Sequence, residues 1–258
     1  MLAIRALTSI SFNTYREAVR SKILYSILFF GLFMISFAAV LGEVSYYQNL
    51  RVIKDIGLFS LSLFGDLMAI FLGASFVYKE IERKSIFNIL SKPLKRWHYF
   101  VGKLLGILAT LYIQLLIMFV TLVVVISVYS DGLPPNLISA FLLICTEVTV
   151  VATVALFFSA FSTPYLSGFF SLGMLVAGKA GETFQRMVSA SENEGLRFVF
   201  GLLDRILPAL WTFNLATEVT YEIPVPPTFV LNAMLYGFAY AAVLAMLGSW
   251  VFSRRDFI

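Results

Sequence analysis

The stretch "KEIERKSIFNILSKPLKRWHYFVGK", residues 79–103, separates two long apolar runs and carries seven basic residues and one proline. A helix needs about 20 apolar residues to cross the hydrocarbon core of a bilayer. The neighbouring runs, 57–78 and 104–129, meet that requirement. Because short cytoplasmic loops of membrane proteins are rich in Lys and Arg, the stretch predicts a cytoplasmic loop between two membrane spans.

The composition is that of a membrane protein over the whole chain. Of 258 residues, 60% are hydrophobic and 13% charged, whereas soluble domains average about 45–50% apolar and about 25% charged. Since no linker-like segment interrupts the apolar runs, we expect a single transmembrane domain, residues 1–258. We predict an all-α membrane protein with six transmembrane helices, at 23–42, 57–78, 104–129, 137–160, 165–181 and 229–252.

The basic residues predict the orientation of these spans. Of the 19 Lys and Arg residues, 13 lie within residues 1–22, the 79–103 loop and the last five residues. We therefore expect both termini and this loop on the cytoplasmic side. We attribute the net charge of +4 to this topology rather than to nucleic-acid binding. The opposite side receives residues 42–56, a short turn and the long segment 182–228.

Two further segments are predicted to lie at the membrane surface. Residues 1–22 mix apolar and basic side chains, which is typical of a helix in the cytoplasmic interface. Residues 196–215 are apolar but contain charges that are costly in lipid, so we expect an amphipathic or re-entrant segment there. The prolines of "IPVPP", residues 223–227, predict extended chain before the last span.

The sequence offers no convincing catalytic or metal site. His98 is the only histidine and Cys145 the only cysteine. "GMLVAGKA", residues 173–180, nearly matches a phosphate-binding loop, but Ala180 stands where a Mg²⁺-binding hydroxyl is needed. The same stretch places Gly173, Ala177 and Gly181 at four-residue intervals, which favours close approach of a second helix. We therefore predict no enzyme activity, metal or cofactor in this chain.

Two acidic residues are predicted near the middle of membrane spans, Asp66 in the second and Glu147 in the fourth. An ionised carboxylate there costs about 2.5–3.5 kcal/mol, so each should face the helix bundle or a wet cavity. One interpretation is a translocation path or proton relay. The other is a hydrogen bond to Ser, Thr or Tyr of a neighbouring helix.

The 79–103 loop is longer than a connection between helices requires. It begins with a segment of helix-forming residues, and Pro93 predicts the end of that helix. Trp97, His98 and Tyr99 then resemble an interfacial anchor before the third span. The basic residues alone are explained by topology and by binding of anionic lipid headgroups. The interleaved Glu80 and Glu82 and the ordered apolar positions favour docking of a cytoplasmic protein.

"VYKEIERKSIFNILSKPLKRWHYFVGKLLG", residues 77–106, resembles the first cytoplasmic loop of permease subunits of type-2 ABC exporters. The likeness includes "FNTYREAVRSKILY" (12–25), "KDIGLFSLSLFGDLMAIFLG" (54–73) and "SRRDF" (253–257). Within these exporters the chain is most similar to permeases of the nitrous-oxide-reductase maturation type. The resemblance covers residues 1–110 and the extreme C-terminus, and it extends to 111–228 only in topology.

This resemblance implies a homodimer in a bacterial or archaeal inner membrane, seated on two separately encoded cytoplasmic ATPase subunits that carry ATP and Mg²⁺. Residues 1–22 would form the elbow helix, and short extracellular helices would dip toward the bilayer within 182–228. The first and fifth spans would build the dimer interface, with Gly173, Ala177 and Gly181. The ATPase would be contacted by Glu80, Glu82, Arg83, Lys84, Ser85, Ile86, Ile89, Leu90, Ser91, Lys92 and Pro93.

Two other functions remain open from the sequence. One is a proton-coupled secondary transporter that uses Asp66 and needs no ATPase. The other is an ATP-driven membrane anchor that transmits force to a periplasmic accessory protein without moving cargo. The cargo of an exporter cannot be read from the composition, because lipid-facing helices are apolar whatever the protein transports.

Overall fold

The computed structural model describes residues 2–45, 48–82, 96–130, 132–190, 195, 201–202 and 207–254, which form nine α-helices, one 3₁₀ turn and no strand. The α-helices are α1 (Leu2–Val19), α2 (Lys22–Val44), α3 (Asn49–Glu82), α4 (Arg96–Tyr129), α5 (Leu137–Ser159), α6 (Pro164–Lys179), α7 (Gly181–Ala190), α8 (Ala216–Thr220) and α9 (Pro227–Arg254). The 3₁₀ turn, η1, spans Leu210–Phe213. The all-helical prediction is confirmed for these residues.

Five of the described helices are long and apolar enough to cross a membrane: α2, α3, α4, α5 and α9. The sixth predicted span corresponds to α6, which begins with Pro164 in its first turn and has 16 residues. At a rise of about 1.5 Å per residue, α6 is about 24 Å long, shorter than the hydrocarbon core of about 30 Å. The prediction of six spans is thus confirmed for five of them.

Helix α3 begins earlier than the sequence predicted. Residues 49–56 were expected outside the membrane as part of a connection, but they form the first turns of α3. The reason is that the charged residues of these turns find partners across the fold: Lys54 donates to Glu222 at 2.9 Å, and Thr220 donates to Asp55 at 2.7 Å. The buried Lys54 is thereby neutralised.

Helices α3 and α5 lie side by side in the same direction. Gly65 faces Val148, and Gly73 faces Ala155 further along both helices. A methyl group at Gly73 would lie 3.0 Å from the carbonyl oxygen of Ala152, so the absence of a side chain permits this close approach. Helix α4 runs in the opposite direction, as expected for successive spans, since Gly57 faces Leu122 and Gly65 faces Leu115.

Helix α1 packs against the beginning of α4. The hydroxyl of Ser11 donates to the carbonyl oxygen of Gly102 at 2.9 Å, and Gly106 lies against Ser11 and Thr14. The exposed Phe12 lies on the other side of α1. The predicted helix at residues 1–22 is thus present from Leu2 to Val19.

The predicted anchor before the third span forms the first turns of α4 itself. Trp97 is exposed and stacks on His98 with ring centroids 3.8 Å apart. Tyr99 instead is buried and stacks against Phe252 of α9. Only the Trp97 end of this triplet is therefore available as a surface anchor.

The described residues that precede α9, 207–226, pack against the helices of the bundle. Buried Leu210 and Phe213 attach η1 to the core, and Gly178 of α6 lies against Leu210. Residues 223–226 form no regular secondary structure, and α9 begins at Pro227, so the prediction that no helix precedes this proline is confirmed. The amide of Asn136 donates to the carbonyl oxygen of Ile223 at 2.8 Å and holds this lead against the start of α5.

Candidate functional site

Asp66 and Glu147 lie at the centre of the helix bundle. Their positions follow from the parallel packing of α3 and α5, which places the middles of the two helices against each other. The side chain of Asp66 has no exposed surface, and that of Glu147 is 3% exposed. Both carboxylates therefore face the bundle, as the sequence predicted.

Lys179 brings the two acidic residues together. It is the last residue of α6, and its Nζ lies 2.9 Å from Asp66 Oδ2 and 2.9 Å from Glu147 Oε1. Because the Cα–Cβ bonds of a helix tilt toward its N-terminus, a lysine at the end of α6 reaches back into the bundle. Three helices are thus joined by one ammonium group.

Ser62 completes the cluster from α3, one turn before Asp66. Lys179 Nζ donates to Ser62 Oγ at 2.7 Å, and Ser62 Oγ donates to Glu147 Oε2 at 3.0 Å. A hydrogen bond to an ionised group is worth about 1.5–3 kcal/mol, so Ser62 stabilises the charged form of Glu147. We call Ser62, Asp66, Glu147 and Lys179 the ionic cluster.

The ionic cluster borders a cavity. Ser62, Glu147 and Lys179 line a space of about 480 Å³ formed with η1, α7, α8 and the start of α9. Its other lining side chains include three aromatic and two acidic residues: Phe59, Trp211, Phe229, Glu182 and Glu218. The Lys179 side chain is 38% exposed, so water or a small polar ligand entering the cavity reaches the ammonium group.

The sequence predicted the two acidic residues but missed Lys179. In the sequence, Lys179 stands out only as part of a near match to a phosphate-binding loop that lacks the hydroxyl at Ala180. A usable signal existed, because Lys179 is the only basic residue in the apolar run 165–181. A cation at membrane depth requires a counter-ion, and Asp66 and Glu147 are the acidic residues in the other apolar runs. The hydrogen-bond interpretation was half right, since Ser62 does bond to Glu147.

The three small residues of the predicted dimer interface have different environments. Gly173 faces open space and Ala177 is half-buried. Gly181 is the first residue of α7 and lies against the indole ring of Trp211 in the same chain. Of the three, Gly173 is thus the one with an open face.

Most of the predicted ATPase-contacting residues, Arg83 to Pro93, lie outside the described residues. Glu80 and Glu82 belong to the last turn of α3. Among the residues that the structure describes, no group of three His, Cys, Asp or Glu side chains could hold a metal ion.

Five long apolar helices and a buried ionic cluster at their centre define a multi-pass helical membrane protein. The chain belongs to the ABC-2 transporter family: the family model described as "ABC-2 family transporter protein" matches residues 2–257. A search of curated proteins found no match. As a member of this family the chain is a non-catalytic membrane subunit of an ABC transporter. ABC-2 permeases generally pair with ABC ATPases and typically lack cofactors of their own.

Proposed function

We propose that this chain is the permease subunit of an ATP-driven exporter that couples to a separate cytoplasmic ATPase dimer through residues 79–103. The observation that carries the proposal is the length of the two helices that flank this loop. Helices α3 and α4 have 34 residues each, or about 51 Å at a rise of about 1.5 Å per residue. A bilayer with its headgroups is about 40–45 Å thick, so the two helices are long enough to carry the loop clear of the lipid.

The mechanism follows from this connection. ATP binds the partner, and its two ATPase subunits close together. Motion of the loop is then transmitted along α3, which is rigidly packed against α5 and bonded through the ionic cluster to α6. A ligand shifts a conformational equilibrium only through different affinities for the two states, and here ATP on the partner supplies that difference. The motif "LSKP" to "GK", residues 90–103, supports a permease subunit of a type-2 ABC exporter, and placement in the nitrous-oxide-reductase maturation type rests on the wider resemblance of residues 1–110.

The coupling proposal is tested by reversing the loop charges. The variant Arg83→Glu/Lys84→Glu/Phe87→Pro is expected to reach the membrane normally but to lose copurification with the ATPase and stimulation of its ATP hydrolysis. The matched control is Arg186→Glu, because Arg186 is an exposed basic residue of α7 in the segment that the sequence predicts on the opposite side of the membrane. Retention of the ATPase by the triple variant, at the level of Arg186→Glu, would refute the coupling role of the loop.

We also propose that a second copy packs against α6. Tyr165, Phe169, Gly173 and Val176 lie at helical spacing, and the first has 92% and the second 70% of its surface exposed. Gly173 leaves open space in the middle of this face, which is how small residues admit a second helix. Since Cys145 is the only cysteine, Gly173→Cys in a Cys145→Ser background should form a disulfide-linked dimer in membranes.

The control for this crosslink is Val128→Cys in the same background, since Val128 is also highly exposed but lies at the end of α4. Crosslinking from position 128 and none from position 173 would place the dimer interface elsewhere.

Asp66 and Glu147 are proposed to border the translocation path, because Glu147 and Lys179 line the cavity beside η1 and α8. The buried carboxylate of Asp66 also favours a second function, proton-coupled transport without an ATPase. ATP-driven export and proton-coupled transport are distinguished by measuring transport in proteoliposomes that contain this chain alone. Transport driven by a proton gradient there, and abolished by Asp66→Asn, supports the second function; ATP-dependent transport only after addition of the ATPase supports the first.

A further inference from the structure

The ionic cluster carries more negative than positive groups. It contains two carboxylates, from α3 and α5, and one ammonium group, from α6. The other described titratable groups nearby are Tyr112 of α4, bonded to Thr149 at 2.6 Å, Cys145 of α5, and Glu182 and Glu218, which line the cavity. Arg186 of α7 is a cation, but its charge is paired with Glu182. With both carboxylates ionised, the described part of the cluster would hold one uncompensated negative charge inside the membrane.

The two carboxylates are not equally stabilised. Glu147 is bonded on both oxygens, to Lys179 at 2.9 Å and to Ser62 at 3.0 Å. Asp66 Oδ2 lies 2.9 Å from Lys179 Nζ, but neither buried carboxylate oxygen of Asp66 accepts a hydrogen bond from any described residue. A neutral carboxyl group without a partner costs far less to bury than an ionised one. The excess charge is therefore least stable on Asp66.

We propose that the ionic cluster is a binding site for a single proton, held by Asp66. With the proton bound, Lys179 and Glu147 form a neutral ion pair and no uncompensated charge remains at the centre of the bundle. The proton exchanges with water through the cavity that Ser62, Glu147 and Lys179 line. The site depends only on these residues, so it goes beyond the proposed coupling to an ATPase and does not require it.

The test is the infrared absorption of protonated carboxyl groups in the purified full-length chain at neutral pH. We expect one such band in the wild type, and we expect it to shift when aspartate, but not glutamate, carries a ¹³C-labelled carboxyl group. The band should be lost in Asp66→Asn. The band should also be lost in Glu147→Gln, because Asp66 is then the only carboxylate beside Lys179. An ionised Asp66 and the ammonium group of Lys179 form a neutral pair, so no proton is needed.

Two further variants make the charge balance testable. Lys179→Met leaves two carboxylates without a counter-ion, so the band should grow about twofold, as expected if each uncompensated carboxylate binds a proton. Glu218→Gln, at the cavity but outside the cluster, should leave the band unchanged. If Asp66→Asn fails to fold, the isotope shift in the labelled wild type and the loss of the band in Glu147→Gln still test whether Asp66 holds the proton. Absence of the band in the wild type, its shift by labelled glutamate, or an unchanged band in Lys179→Met would each overturn the proposal. None of these measurements involves the ATPase, so a failure of the coupling proposal would leave them unaffected.

Discussion

Replacing Lys179 by Met should destabilise the bundle, because Lys179 is the only described cation in contact with two buried carboxylates. Breaking a buried ion pair by removing one partner costs about 3–5 kcal/mol. The Lys179 side chain is 38% exposed, and water that reaches the site weakens the ion pair that the variant loses. We therefore expect a loss of about 2–3 kcal/mol in the free energy of unfolding.

The assay is reversible unfolding of the purified protein in mixed micelles, followed by helix content. The control is Arg186→Met, which removes an exposed pair of Arg186 with Glu182 one turn apart on α7 and should cost no more than about 0.5 kcal/mol. The double variant Lys179→Met/Glu147→Gln should recover most of the loss, since residue 147 is then neutral without having to bind a proton. If Lys179→Met unfolds at the same denaturant concentration as Arg186→Met, the ionic cluster does not hold the three helices together.

Two other predictions concern other parts of the bundle. Lys54 holds the pKa of Glu222 below its ordinary value of 4.5. The larger cause is the hydrogen bond that Lys54 donates, and the smaller is the attraction of its positive charge. The stability advantage of the wild type over Glu222→Gln should thus be present above pH 4.5 and disappear as the pH falls through the lower, folded-state pKa; an advantage that persists at lower pH would contradict the pairing. Gly73→Leu should cost at least about 1–3 kcal/mol in the same unfolding assay, because a side chain there meets the backbone of Ala152. Gly168→Leu, at a position with nothing within 4 Å, should unfold like the wild type, and equal stability of the two variants would contradict the close packing of α3 and α5.

The membrane spans could be predicted from the sequence because a lipid environment requires long stretches of consecutive apolar residues. Such a stretch is visible without any knowledge of which residues meet in the fold. The same rule explains the two errors at their ends. Residues 49–56 contain charges that find partners at Thr220 and Glu222, so α3 starts before its apolar run. Helix α6 stops at Lys179, before the end of the run 165–181, so this helix is too short to meet the length expected of a span.

The site was only half predictable for a related reason. A carboxylate in an apolar run is conspicuous, and Asp66 and Glu147 were found from sequence for that reason. Lys179 and Ser62, which form a hydrogen bond, lie 117 positions apart in the sequence. The periodicity of a helix predicts contacts only between residues close in sequence, so it could not predict this one. The parallel packing of α3 and α5, made possible by Gly65 and Gly73, decides which residues meet.

The most direct test of the central proposal, that this chain couples to an ATPase through residues 79–103, is a site-specific photocrosslink. A photoreactive amino acid at position 86 in the full-length chain, activated in native membranes, is expected to crosslink to an ATP-binding subunit identified by mass spectrometry. The matched control is the same amino acid at Leu133, an exposed residue in the turn before α5, where no such product is expected. Failure to capture an ATP-binding subunit from position 86, or equal capture from position 133, would contradict the account.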